Sequence, residues 1–143
     1  YRLPPRIQDF ILEHHGTQLT KYQYTRAVQA AGGDSSQVDE QAFRYPGPRP
    51  QSRETALLML ADGSEARMRA EHPKNENELR ALIKGIVETR RECGQLDDTS
   101  LTFQDLNTIV DSFTATLRGV YHPRIPYPQL ETNQVAEESG EEK

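Results

Sequence analysis

Apolar residues recur at intervals of three and four along most of this chain, and no stretch alternates apolar with polar long enough to make a convincing strand. A period near 3.6 gathers such residues on one face of an α-helix, so the expected fold is all-α, a bundle of five to six helices. Ile7, Phe10, Ile11 and His14 mark a first helix that begins at Pro4-Pro5 and stops just after His15. Gly16 suits the left-handed residue that ends a helix there. A second helix is expected from about Leu19 to Ala31, closed by Gly32-Gly33.

The pattern breaks over residues 34–50. Asp34-Ser35-Ser36 is turn chemistry, and Arg44-Tyr45-Pro46-Gly47-Pro48-Arg49-Pro50 excludes both regular helix and central strand. A loop this long in a compact unit often carries function. It is not read as a linker, because the helix before it has too little apolar surface to fold alone. Ser52 is placed to cap a helix running to about Glu71, ahead of Pro73. Asn75 with Glu78 forms a capping-box pattern for a helix ending at Gly94. Thr102 with Asp105 starts a last helix, with Phe103, Leu106, Ile109, Val110, Phe113 and Leu117 on one face, ending near Tyr121.

The totals narrow the function classes. Apolar residues make up 34% of the 143, with no Trp, which is a lean core for a free-standing domain. The opening on Tyr1 without an initiator Met suggests a piece of something longer. Net charge is −5, but residues 131–143 alone carry five Glu against one Lys, so the body is nearly neutral. A neutral body lacks the clustered basic surface that binding to a large nucleic acid requires. Residues 129–143 are read as an acidic, disordered tail. The single cysteine, Cys93, excludes an internal disulfide, fits a reducing compartment and is expected to be a small packed side chain. No apolar run is long enough to span a bilayer, and no signal peptide is visible.

Three residues draw attention for chemistry. Asp62 follows Ala56-Leu57-Leu58-Met59-Leu60-Ala61, the most apolar run in the chain. A carboxylate facing a core there needs a metal or a charged partner; alternatively the helix turns Asp62 to the surface. His14 and His15 close the first helix, where unpaired carbonyls favour a nearby cation. They either ligate metal, or one caps the helix while the other is solvated. A mixed nitrogen and oxygen set suits iron, manganese or zinc better than calcium. His72 and His122 each precede a proline at a helix end and are read as structural. Lys21, Tyr22, Tyr24 and Arg26 form an aromatic and basic strip that fits an ordinary amphipathic face, or a base and phosphate site. There is no phosphate loop, nucleophile elbow, paired-cysteine zinc spacing or dinucleotide fingerprint.

The string Phe10-Ile11-Leu12-Glu13-His14-His15-Gly16-Thr17 resembles a segment of the membrane-anchored HD-domain proteins of the PgpH type, bacterial cyclic di-AMP phosphodiesterases. The likeness continues through Phe43 to Pro50, Leu58 to Asp62 with Glu65-Ala66, Gly94 to Asp97, and Tyr121 to Ile125, in the same order. It covers roughly residues 1–128, and implies the C-terminal portion of an HD domain.

The resemblance implies an all-helical, two-metal phosphodiesterase that opens a cyclic dinucleotide to a linear one. By motif position, His14 and His15 look like ligands of one metal and Asp62 like a ligand of the other, with iron or manganese expected. The remaining ligands would come from the N-terminal half of the domain, so the chain alone is expected to be inactive. Catalysis would rest on a metal-activated water, with no side chain assigned as catalyst. Thr17, Lys21, Arg44 and Tyr45 are candidates to touch substrate by chain proximity.

The parent protein would be a bacterial inner-membrane protein with this domain facing the cytoplasm. The chain itself would reach the membrane only through that parent, and would expose an apolar face capable of dimerising. Other readings are an HD-superfamily nucleotide phosphohydrolase and a non-catalytic helical binding module. The cyclic di-GMP enzymes of the related HD-GYP type are disfavoured, because His15 is followed by Gly16-Thr17-Gln18 and not by their Gly-Tyr-Pro signature.

Overall fold

The computed structural model describes residues 2–120 and contains α1 (Pro5–Glu13), α2 (Lys21–Ala30), α3 (Arg53–Glu71), α4 (Glu76–Glu92) and α5 (Phe103–Val120). Two short 3-10 turns, Ser35–Gln37 and Glu40–Phe43, interrupt the long connection before α3. The acidic tail, His122 and the Tyr121–Ile125 motif lie outside the described residues.

The helix boundaries follow from local chemistry. Ser52 Oγ accepts from the Thr55 N–H at 3.2 Å and opens α3. Asn75 Oδ1 accepts from the Glu78 N–H at 2.9 Å, but the Glu78 carboxylate reaches back to the Lys74 N–H, not to that of Asn75. Thr102 and Asp105 complete a reciprocal box, each side chain accepting from the other's backbone N–H. The first helix ends earlier than its spacing suggests, at Glu13 and not just after His15. His14 becomes the C-cap because its ring folds back on the last turn, and Gly16 follows with φ +54°.

The core lies between α3, α4 and α5. Ala56, Leu60 and Met68 pack against Leu79, Leu82, Ile83, Ile86 and Val87, and both meet Leu106, Ile109 and Val110. The helix α1 lies against α3, and α2 against the second 3-10 turn. Cys93 is exposed at the end of α4 and not packed, because the helix has already turned toward Gly94.

The helix α3 does not bury Asp62. Ala56, Met59 and Leu60 face inward, so Leu57 (37% exposed), Leu58 (39%) and Asp62, one turn on, share the outward side. The apolar run is long because it serves two faces of one helix. On α1, Ile7, Ile11 and Leu12 are also exposed. These apolar side chains of α1 and α3 lack cover among the described residues.

Candidate functional site

Two buried polar side chains, Glu13 and Gln95, hold the segment that carries the histidines. Glu13 closes α1 with its carboxylate turned inward, accepting from Thr55 Oγ1 at 2.6 Å and from the Gln51 N–H at 2.8 Å. The buried amide of Gln95 accepts from the Thr17 N–H at 3.0 Å and donates to Thr17 Oγ1 at 2.9 Å. Between them Gly16 takes a left-handed backbone that strains any side chain, and a Cβ there would also crowd Gln95 Oε1 and the Met59 methyl. Glu13 and Gln95 both fall within the strings that carry the resemblance, but local spacing gives neither a role, since each depends on partners far along the chain.

The two imidazoles are held side by side, ring centres 4.0 Å apart and tilted 38°. His14 Nδ1 lies 2.9 Å from the carbonyl oxygens of both Phe10 and Ile11. A carbonyl only accepts, so Nδ1 carries a proton and Nε2 is the ring nitrogen left to face a ligand. His15 is half-buried and stacks on Tyr45, ring centres 4.3 Å apart and 20° from parallel. Burial, together with the neighbouring His14 ring and the charge of Arg90, holds the His15 pKa below its usual 6.5, while the charge of Asp62 acts the other way. His15 is therefore largely neutral at pH 7.

Asp62 is close enough for its charge to act on both His15 and Arg90. Even so, among the described residues no group of three or more His, Cys, Asp or Glu side chains is gathered tightly enough to hold a metal ion. The chain offers a histidine pair and a neighbouring carboxylate without a closed shell around one point.

The candidate substrate contacts divide. The loop pairs with the segment after the histidines: Thr20 N–H donates to Phe43 O at 2.7 Å and Tyr45 N–H to Gln18 O at 2.9 Å. This pairing delivers Tyr45 to His15. Thr17 is engaged by Gln95, and its carbonyl accepts from Arg44 at 3.1 Å. Arg44 also pairs with Glu40, so its guanidinium braces the loop. Lys21 stands exposed at the start of α2, and no described contact joins it to the histidines. Arg90, absent from the sequence-based set, is drawn beside Asp62. His72 ends α3 in a left-handed conformation (φ +49°), a structural position.

No protein-family profile matches the chain. It is 41% identical over 129 residues to the Cyclic-di-AMP phosphodiesterase PgpH of Bacillus subtilis, covering 90% of this chain and 18% of that protein. Over 126 residues it is 37% identical to the Listeria monocytogenes protein of the same name, covering 88% of this chain and 17% of that one. An uncharacterized Synechocystis protein is 40% identical over 130 residues, covering 90% of this chain and 16% of that protein.

The crystal structure of the L. monocytogenes phosphodiesterase PgpH HD domain in complex with Cyclic-di-AMP superposes with a TM-score of 0.76 at 37% identity, covering 87% of this chain and 57% of that one. A second crystal structure of the L. monocytogenes phosphodiesterase PgpH HD domain gives 0.72 at 36% identity, covering 84% of this chain and 54% of that one. The chain thus spans less than a fifth of the curated relatives it matches. By sequence and by fold, it resembles the HD domains of the PgpH proteins and spans a little more than half of the crystallised one.

Proposed function

We propose that this chain supplies part of the active site of a metal-dependent phosphodiesterase that hydrolyses cyclic di-AMP to the linear dinucleotide. The observation that carries the reading is the state of the histidine pair. His14 has its Nδ1 committed to two carbonyls, which leaves Nε2 to face a metal, and burial holds the pKa of His15 beside it below the usual value. Metal-ligating histidines are commonly oriented by such a bond from the other ring nitrogen. The relatives named as cyclic-di-AMP phosphodiesterases, and the crystallised domain holding that nucleotide, support the substrate class.

His14, His15 and Asp62 would hold divalent metal, iron or manganese by their donor types, which when bound would activate water and draw charge from the phosphoryl group. Two such ions are proposed for the complete domain, with the remaining ligands supplied by its N-terminal half. The role of the residues described here is placement. Gln95 and Glu13 fix the turn on which the histidines stand, and Tyr45 restrains the His15 ring. Thr17, Arg44 and Tyr45 form the wall nearest the pair, and Lys21 is the cation closest in sequence that is exposed enough to meet a phosphate. The outward side of α1 and α3, with Ile7, Ile11, Leu57 and Leu58, is the seat proposed for the rest of the domain.

The site belongs, in this reading, to a cytoplasm-facing domain of a bacterial inner-membrane protein. Among the described residues no helix is long and apolar enough to cross a membrane. The test is made in the full-length protein carrying this segment. His15→Ala and Asp62→Ala are each expected to abolish metal-dependent hydrolysis of cyclic di-AMP and to lower the bound metal. Retained turnover in either purified variant refutes the assignment.

A further inference from the structure

Arg90 has no role in the proposed metal site, yet its side chain reaches the helix turn of the candidate ligand Asp62, near enough for the two charges to act on each other. It leaves the last turn of α4 and crosses to α3, where one terminal nitrogen stands 3.5 Å from the point that a Cβ on Gly63 would occupy. Gly63 directly follows Asp62. The Nε of Arg90 is buried and makes no hydrogen bond among the described residues. On the same helix pair, Arg67 crosses the other way, with its Nη1 3.7 Å from the Cβ position of Gly85.

We propose that Arg90 is a phosphate-binding residue of this site, its guanidinium receiving a non-bridging phosphate oxygen of the dinucleotide on the α4 side of Asp62. The proposal deepens the phosphodiesterase reading and rests on it. A guanidinium stays charged inside a protein, and its buried, unbonded Nε is costly, so the arrangement favours an anion on the same group. Asp62 supplies negative charge nearby, but a carboxylate that ligates a cation has less to offer a guanidinium. Arg67 repels Arg90 and is itself paired with Glu71, so it gives Arg90 no anionic partner. A planar fork of N–H groups matches phosphate oxygens better than an ammonium does.

The test compares Arg90→Met, which keeps the aliphatic stem, and Arg90→Lys, which keeps the charge, with the unaltered full-length protein. Metal content, helical circular dichroism, the Kd for inorganic phosphate and the KM and kcat for cyclic di-AMP are measured for each. Arg90→Met is expected to keep its metal and its helical signal while binding phosphate and dinucleotide about tenfold more weakly, with Arg90→Lys intermediate. Unchanged phosphate and dinucleotide affinity in Arg90→Met overturns the proposal. Metal loss in step with activity also overturns it, because Arg90 would then act only by positioning Asp62. Should the unaltered protein fail to hydrolyse any cyclic dinucleotide, the phosphodiesterase reading falls by itself. The phosphate Kd of Arg90→Met then still decides whether Arg90 is an anion site.

Discussion

The carboxylate of Glu13 lies 2.6 Å from the hydroxyl of Thr55, both side chains almost wholly buried, and this single bond ties the end of α1 to the first turn of α3. One residue further on stand His14 and His15, so the bond sets where the imidazoles begin. A carboxylate buried at this depth tolerates no missing donor. Thr55→Val, which keeps the shape and removes the hydroxyl, is expected to cost about 1–3 kcal/mol in urea unfolding. A double-mutant cycle with Glu13→Gln should show a coupling energy well above the error of the measurement. Additive losses would mean that the two residues stabilise the chain independently.

Gly16→Ala should be among the most damaging single-methyl changes in the chain. The left-handed backbone at φ +54° disfavours a side chain by about 1–2 kcal/mol. The added Cβ would also meet Gln95 Oε1 at 2.3 Å, forcing the amide off Thr17. A total loss of about 3 kcal/mol is expected once that overpacking is included. Thermal unfolding measures the loss, and metal titration of the full-length variant should show weakened binding, since the histidines sit on the same turn. A variant with unchanged melting temperature would contradict this account of the turn.

Asp105 gives the fold an acid-sensitive contact. Hydrogen bonds from the backbone and then the hydroxyl of Thr102, with Arg53 alongside, hold its carboxyl below the ordinary 3.8. The unfolded chain therefore binds the proton more tightly than the folded one. The contribution is present in full above about pH 3.8 and fades as the pH falls through the lower, folded value. Asp105→Asn is expected to lower the melting temperature at pH 7 and to flatten its decline in acid. An identical acid limb in the variant and the parent would rule out Asp105 as its source.

The outward faces of α1 and α3 predict the behaviour of this segment alone. Ile11 (55% exposed), Leu12 (57%), Leu57 and Leu58 form apolar surface of the kind that marks an interface. The isolated segment should associate as its concentration rises in sedimentation velocity, and should bind a hydrophobic dye. Leu57→Lys with Leu58→Lys should suppress both, and in the full-length protein should destabilise the domain. A segment that stays monomeric and dye-silent would show that this surface needs no cover.

The helices were legible in the sequence because their causes are local. Ser52, Asn75 and Thr102 each bond backbone within one turn, and apolar spacing marks the faces that meet in the α3–α4–α5 core. The histidine pair was legible by its place at a helix end and by its resemblance to a known motif. The direction of Asp62 was not, since the run before it is apolar on two sides and only packing decides which side turns in.

What the sequence determined by itself was an all-helical chain, its stops and starts, and the family it resembles. Only the tertiary structure could set Gln95 against Thr17, Glu13 against Thr55, Tyr45 against His15 and Arg90 beside Asp62. These partners lie tens of residues apart, and no local propensity records them. They meet because α1 packs on α3, and the α3–α4–α5 core fixes where the segments around it can close.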